Sequence, residues 1–139
     1  MLIISHRGNL EGPSPDENSP SLILKAIKHF CCEIDLWVKD DTLYLGHDEP
    51  IYKIDKSFLE NKKLFIHAKN IEAAIFLNKT KYHWFWHQAD QITLTSKQII
   101  WCYPGIYVPG GITVVKNKEF KLDSYGLCTD YPIELSSLI

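Results

Sequence analysis

The sequence predicts an α/β fold with a largely parallel sheet and short antiparallel strands in the second half. Three observations carry that expectation. Short apolar runs alternate with loop or helical segments through the first 70 residues, as strands joined by crossovers do. Apolar residues make up 45% and charged residues 23% of the chain, an ordinary globular composition that argues against disorder. Beyond residue 88 helical periodicity is scarce, so parallel crossovers are not expected there. The 139 residues fit one domain, 1–139, with room for a core. They are too few for a complete eight-stranded (β/α)8 barrel, which takes roughly 250.

Each element follows from its local pattern. Leu2 to Ser5 is an apolar run that reads as a buried strand. Asn9 to Pro20 holds three prolines and a glycine and reads as a loop. Ser19-Pro20 places a cap before a proline, and Leu22, Ile23, Ala26, Ile27 and Phe30 recur at helical spacing, so 20–30 is a helix. Cys31 to Val38 is a strand, Lys39-Asp40-Asp41 a turn, and Thr42 to Leu45 a short return strand. Leu64 to Ala68 is the third main strand, and Ile71 to Leu77 a helix capped by Asn70. Trp84 to Trp86, Gln91 to Thr95 and Ile99 to Tyr103 are short strands. Pro104 to Lys121 is rich in turns, with Ile112 to Val115 extended inside it, and Tyr125 to Cys128 is the last strand.

Composition also bounds the partners. A formal charge of -2, evenly spread, offers no bulk field for nucleic acid or anionic membrane. The apolar runs fall far short of the ~20 residues that a membrane helix needs. The N-terminus shows no secretory pattern, and Cys31, Cys32, Cys102 and Cys128 form no CxxC pair. They read as free thiols in a reducing compartment, so the expected location is the cytoplasm.

Polar residues collect at or near the expected C-terminal ends of strands: His6-Arg7, Glu33 and Asp35, His47-Asp48, His67 with Lys69, and Asp130. Ligands bind at that end of parallel α/β sheets. Glu33 and Asp35 share one face, because strand side chains alternate, and two such carboxylates repel unless a cation or proton lies between them. A hard divalent ion with oxygen ligands is one solution. Arg7 and Lys69 add positive charge for a phosphate, and His6 and His47 can exchange protons near neutral pH. Together these groups suit metal-assisted phosphoester cleavage. Each has a plainer reading as a solvated or paired strand-end residue. His83 and His87 do not read as a metal pair, since on a strand they lie about 13 Å apart. Trp37, Trp84, Trp86 and Trp101 read as core.

The order of the motifs resembles a known family. His6-Arg7-Gly8, Glu17-Asn18-Ser19, Glu33-Ile34-Asp35 and Gly46-His47-Asp48 are similar to the opening of the glycerophosphodiester phosphodiesterases, members of the phosphatidylinositol-phospholipase-C-like barrels. Leu64-Phe65-Ile66-His67-Ala68-Lys69 and Gly126-Leu127-Cys128-Thr129-Asp130-Tyr131-Pro132 resemble a later strand and the closing strand of that family. The resemblance implies a reduced or incomplete TIM-like (β/α) barrel. It implies His6 as base and His47 as acid, Glu33, Asp35 and His67 as metal ligands, Arg7 and Lys69 on the phosphoryl oxygens, and Glu17 as support behind the metal loop. It also implies a divalent metal, magnesium or calcium, acting on a small phosphodiester such as a glycerophosphodiester.

Two departures stand out. His67 falls where the family has a carboxylate, which suits manganese, zinc or iron better. The middle of the barrel is short, so the sheet is either closed by short antiparallel strands or covered by a second copy in a homodimer. Two other function classes fit the same residues: a phosphate-binding or regulatory module without turnover, and a lyase or hydrolase acting on another phosphorylated sugar or nucleotide.

Overall fold

The computed structural model describes residues 1–116 and 119–139. In chain order the elements are β1 (Leu2–His6), α1 (Pro20–Ala26), β2 (Cys31–Lys39), β3 (Thr42–Leu45), β4 (Tyr52–Ile54), a 3-10 turn (Lys56–Glu60), β5 (Leu64–Ala68), α2 (Ile71–Asn78), β6 (Trp84–Phe85), β7 (Ile92–Leu94), β8 (Ile100–Cys102), β9 (Ile112–Val115), β10 (Gly126–Thr129) and α3 (Pro132–Ser136). β4, the 3-10 turn and α3 are not in the sequence reading. All three are short, with little periodicity to detect. The segment read as turn-rich, 104–121, includes residues 117 and 118, which lie outside the described residues.

Caps behave as their residue types require. Ser19 Oγ accepts from Leu22 N at 3.3 Å, and Pro20 opens α1. α1 stops at Ala26, earlier than its apolar spacing suggests. Asn70 caps α2 through Ala73 N at 3.0 Å. The same carboxamide accepts from Val38 N at 3.2 Å and donates to Val38 O at 2.8 Å, so it also completes the edge of β2. Asp40 and Asp41 both take positive φ in the two-residue turn between β2 and β3, which suits the twist of a hairpin.

The sheet is mixed and mostly parallel. Its parallel order is β6-β5-β2-β1-β10-β9-β8, with β3 added antiparallel to the far end of β2, β4 antiparallel to β3, and β7 antiparallel to β8. Contrary to expectation, β9 runs parallel to both β8 and β10. The connection that leads into it from β8 is turn-rich rather than helical, with Gly105 and Gly110 at positive φ.

Among the described residues no ladder joins β6 to β8, so the sheet is not closed into a barrel. The chain between them fills the gap. Ser96 N donates to Trp84 O at 2.7 Å, Trp84 N to Ser96 Oγ at 3.0 Å, and Thr93 Oγ1 to Trp86 O at 2.8 Å. The Phe85 and Trp101 rings stack across the gap with centroids 4.4 Å apart. The incomplete barrel is therefore sealed by hydroxyls and aromatic rings.

Alternation sorts the side chains into an inner core and two outer clusters, the smaller of them Val115, Leu127 and Leu135. Ile4, Phe65, Phe85, Trp101, Ile112 and Cys128 fill the inside of the curled sheet. A larger cluster, including Ile23, Ala26, Ile34, Leu36, Ile66, Ala73 and Leu77, packs α1 and α2 against the outside. Trp101 is core as expected, and Trp84 and Trp86 pack half-buried on the outer cluster. Trp37 is half-buried and donates its Nε1–H to Gly46 O at 2.6 Å. Cys32, Cys102 and Cys128 are buried free thiols, and Cys31 is half-buried and free. No helix among the described residues is long and apolar enough to cross a membrane.

His83 lies at the other end of the inner core, against Phe65 at a ring distance of 4.4 Å and within 2.7 Å of Thr95 Oγ1. Burial, aided by the charge of Lys97, pushes its pKa down from 6.5 to about 4. The unfolded chain therefore takes up this proton before the folded one does. The His83 contribution to stability is present above pH 6.5 and is lost as pH falls toward 4. Urea midpoints at pH 7 and pH 5 should fall further for the native protein than for His83→Gln. Equal falls would reject this source of acid sensitivity.

Candidate metal centre

The inward positions change character along each strand. β1 carries Leu2 and Ile4 and then His6, β2 carries Cys31 and then Glu33 and Asp35, and β5 carries Phe65 and then His67. Apolar residues thus fill the base of the curl, and polar residues ring its C-terminal end. There they line a cleft of about 470 Å³ that gathers His6, Arg7, Glu33, His47, His67 and Lys69. Phe85, Trp101, Tyr103 and Val114 form its apolar wall.

At the floor, Glu33 and Asp35 are 3% and 1% exposed. One ligand atom each from Glu33, Asp35 and His67 lie within 4.8 Å of one another. Pairing puts them there, since β2 and β5 run in register with Asp35 opposite His67. His67 Nδ1 is 3.2 Å from Asp35 Oδ1 and 3.7 Å from Glu33 Oε1. The approach to Asp35 is close enough for charge attraction but is not aligned as a hydrogen bond. Asp35 Oδ1 and Glu33 Oε2 are thus buried carboxylate oxygens with no hydrogen-bond partner. Such atoms are costly unless a cation completes them. With a nearby imidazole nitrogen they fit a divalent ion.

Cations and amides hold the remaining oxygens. Asn18, fully buried and at positive φ, donates Nδ2–H to Asp35 Oδ2 at 2.9 Å and accepts from Asp35 N at 3.0 Å. Arg7 Nε lies 3.3 Å from the same Oδ2, and Lys69 Nζ lies 4.0 Å from Oδ1. Burial by itself would raise the Asp35 carboxyl. His67, Arg7 and Asn18 outweigh it and hold the group well below the usual carboxylate range. Burial would likewise lower His67, but the Asp35 and Glu33 carboxylates close to its Nδ1 raise it to about 9.

His6 bridges the first and last parallel strands. Its Nδ1 is 2.8 Å from Asp130 Oδ1, and its Nε2 is 3.8 Å from Glu33 Oε2. Burial opposes the charged ring, and Asp130 and Glu33 overcome it, so the His6 pKa is raised. Asn9, also fully buried, donates to Asp130 Oδ1 at 2.8 Å and to Glu17 Oε2 at 3.2 Å. Glu17 accepts from Arg7 Nη1 at 2.9 Å. Glu17 therefore supports Arg7 and Asn9 and makes no direct contact with the three-residue cluster.

His47 stands apart. It lines the cleft, but its side chain is 38% exposed, and Asp48 Oδ1 lies 2.8 Å from its Nδ1. The turn that presents it needs a glycine, because a Cβ on Gly46 would lie 2.0 Å from Glu49 O. Asn9, Asn18 and the Asp130–His6 pair are the parts of the site that sequence reasoning did not assign. Asn18 sits within a quoted motif and Asp130 ends another, but only the fold shows what they touch. Comparison with protein-family models, curated proteins and solved structures yields no match.

Removing the Asn18 clasp leaves Asp35 N and Oδ2 short of partners. Asn18→Ala should cost roughly 2–4 kcal/mol in denaturant unfolding. An unchanged midpoint would show that the clasp is not holding Asp35. A bound divalent ion should raise Tm, contributing about 2.7 kcal/mol at a hundredfold excess over Kd, and a chelator should reverse it. That gain should vanish in Glu33→Gln/Asp35→Asn.

Proposed function

We propose that the chain is a metal-dependent phosphodiesterase acting on a small diester of the glycerophosphodiester kind. One observation carries the reading: a base-like histidine stands beside two buried carboxylates, each with one oxygen that lacks a hydrogen bond. His6 Nε2 lies 3.8 Å from Glu33 Oε2 while its Nδ1 is held by Asp130. The ordered motifs that resemble glycerophosphodiester phosphodiesterases support the same reading.

In this reading Asp130 accepts the Nδ1–H of His6. That fixes the tautomer with a lone pair on Nε2, ready to take a proton from the attacking hydroxyl or water. Asp130 is thus a positioning residue. Arg7, fastened by Glu17, and Lys69 supply positive charge for the phosphoryl oxygens. His47 delivers a proton to the leaving oxygen, and Asp48 Oδ1, 2.8 Å from its Nδ1, orients the ring. A divalent ion held by Glu33, Asp35 and His67 would neutralise phosphoryl charge and lower the pKa of the attacking hydroxyl.

The exposure of His47 favours a second reading, a phosphate-binding module without turnover. Release of p-nitrophenol from bis(p-nitrophenyl) phosphate, alongside glycerophosphodiester hydrolysis, separates the two. His6→Ala and His47→Ala should each lower turnover by about 10²- to 10⁴-fold. Asp130→Asn should lower kcat and alter the acidic limb of the pH profile. Equal background release from all four proteins would reject the enzyme and leave the binding module.

A further inference from the structure

The His67 ring is held on three sides. Its Nε2 is 2.8 Å from the His87 carbonyl oxygen. A carbonyl only accepts, so Nε2 carries the hydrogen, and in the neutral ring the lone pair sits on Nδ1. That nitrogen faces Asp35 Oδ1 and Glu33 Oε1. The ring plane is set by Phe85, stacked at 4.9 Å and 13°. The carbonyl is itself fixed, because the buried His87 side chain closes its own turn through Nε2 to Asp90 O at 2.6 Å. β6 and the turn after it therefore determine which nitrogen of His67 reaches the cluster and at what angle. A carbonyl behind a histidine is the usual support for an imidazole metal ligand.

We propose that Glu33, Asp35 and His67 form a centre selective for a zinc-class ion (zinc, cobalt, nickel or ferrous iron) over magnesium and calcium, with His87 as the positioning residue that enforces it. The inference rests on the metal-dependent reading above and adds which ions the site takes. Imidazole suits the later divalent ions, whereas magnesium and calcium favour all-oxygen sets. A ring free to rotate could turn away and leave two carboxylates to a hard ion. Here the His87 carbonyl and the Phe85 face oppose that rotation, and the unpartnered Asp35 Oδ1, 3.2 Å from Nδ1, completes a mixed donor set with Glu33.

The test uses the metals alone on the full chain. Competition titration of zinc and cobalt against magnesium and calcium should give a preference on the order of 10²-fold or more for the former. Cobalt-loaded protein should show one hyperfine-shifted, solvent-exchangeable proton in its NMR spectrum, the Nε2–H of His67, slowed by its hydrogen bond to His87 O. His67→Glu should abolish that signal and collapse the preference. His87→Ala should keep the fold by circular dichroism, weaken zinc about 10- to 100-fold and speed exchange of the shifted proton. Magnesium or calcium competing equally with zinc, or a cobalt site without the exchangeable proton, would overturn the selectivity and leave the phosphodiesterase reading intact. Failure of every divalent ion to bind would overturn both. Diester turnover that ignores chelator would remove the metal from the reaction even if zinc binds.

Discussion

Two carboxylates buried side by side on β2 are the constraint around which the rest is arranged. Glu33 and Asp35 point into the curl because strand positions two apart share a face, and burial there makes their charge expensive. Their surroundings answer that cost in pieces. Asn18 and Arg7 take one oxygen of Asp35, Lys69 and His67 approach the other, and His6 approaches Glu33. The long loop before α1 is ordered by this requirement. It returns Asn18 to β2 and Glu17 to Arg7, and Asn18 N bonds back to Arg7 O at 2.8 Å. One oxygen on each carboxylate still lacks a hydrogen bond, which gives the centre its capacity for a metal.

The same face alternation links folding to function. Inward residues at the base of the strands are apolar and pack as the inner core, whereas those one or two steps further on are ionisable. Stability and chemistry occupy different ends of one surface. These residues can therefore carry an ionisable cleft without a full barrel, provided the open seam is sealed. Here the seam lies between β6 and β8, where Ser96, Thr93 and the Phe85–Trp101 stack replace a ladder. The ring of His67 rests on the same Phe85, so the repair of the seam also supports the site.

Much of this was legible in the sequence where patterns are local. The strands at Leu2, Cys31, Thr42 and Leu64, the Asn70 cap and the alternation of Glu33 with Asp35 follow from propensity and period. β4, α3 and the parallel placement of β9 were not legible. Short elements carry weak periodicity, and the direction of a strand is decided by its neighbours. The expected short antiparallel strand of the second half is β7 on β8, while β9 joins the parallel part because a turn-rich connection can also carry a chain back to the same end of a sheet.

The residues of the candidate site were likewise visible as types at strand ends, since a sheet that binds ligands does so there. By itself the sequence determined which side chains share a face and which strand ends carry charge. Tertiary structure alone decided their partners. It set Asp130 against His6 across 124 positions, turned Asn9 and Asn18 into clasps, and placed the His87 carbonyl behind His67. Those contacts depend on register between distant strands and on where loops return, and no local pattern encodes either.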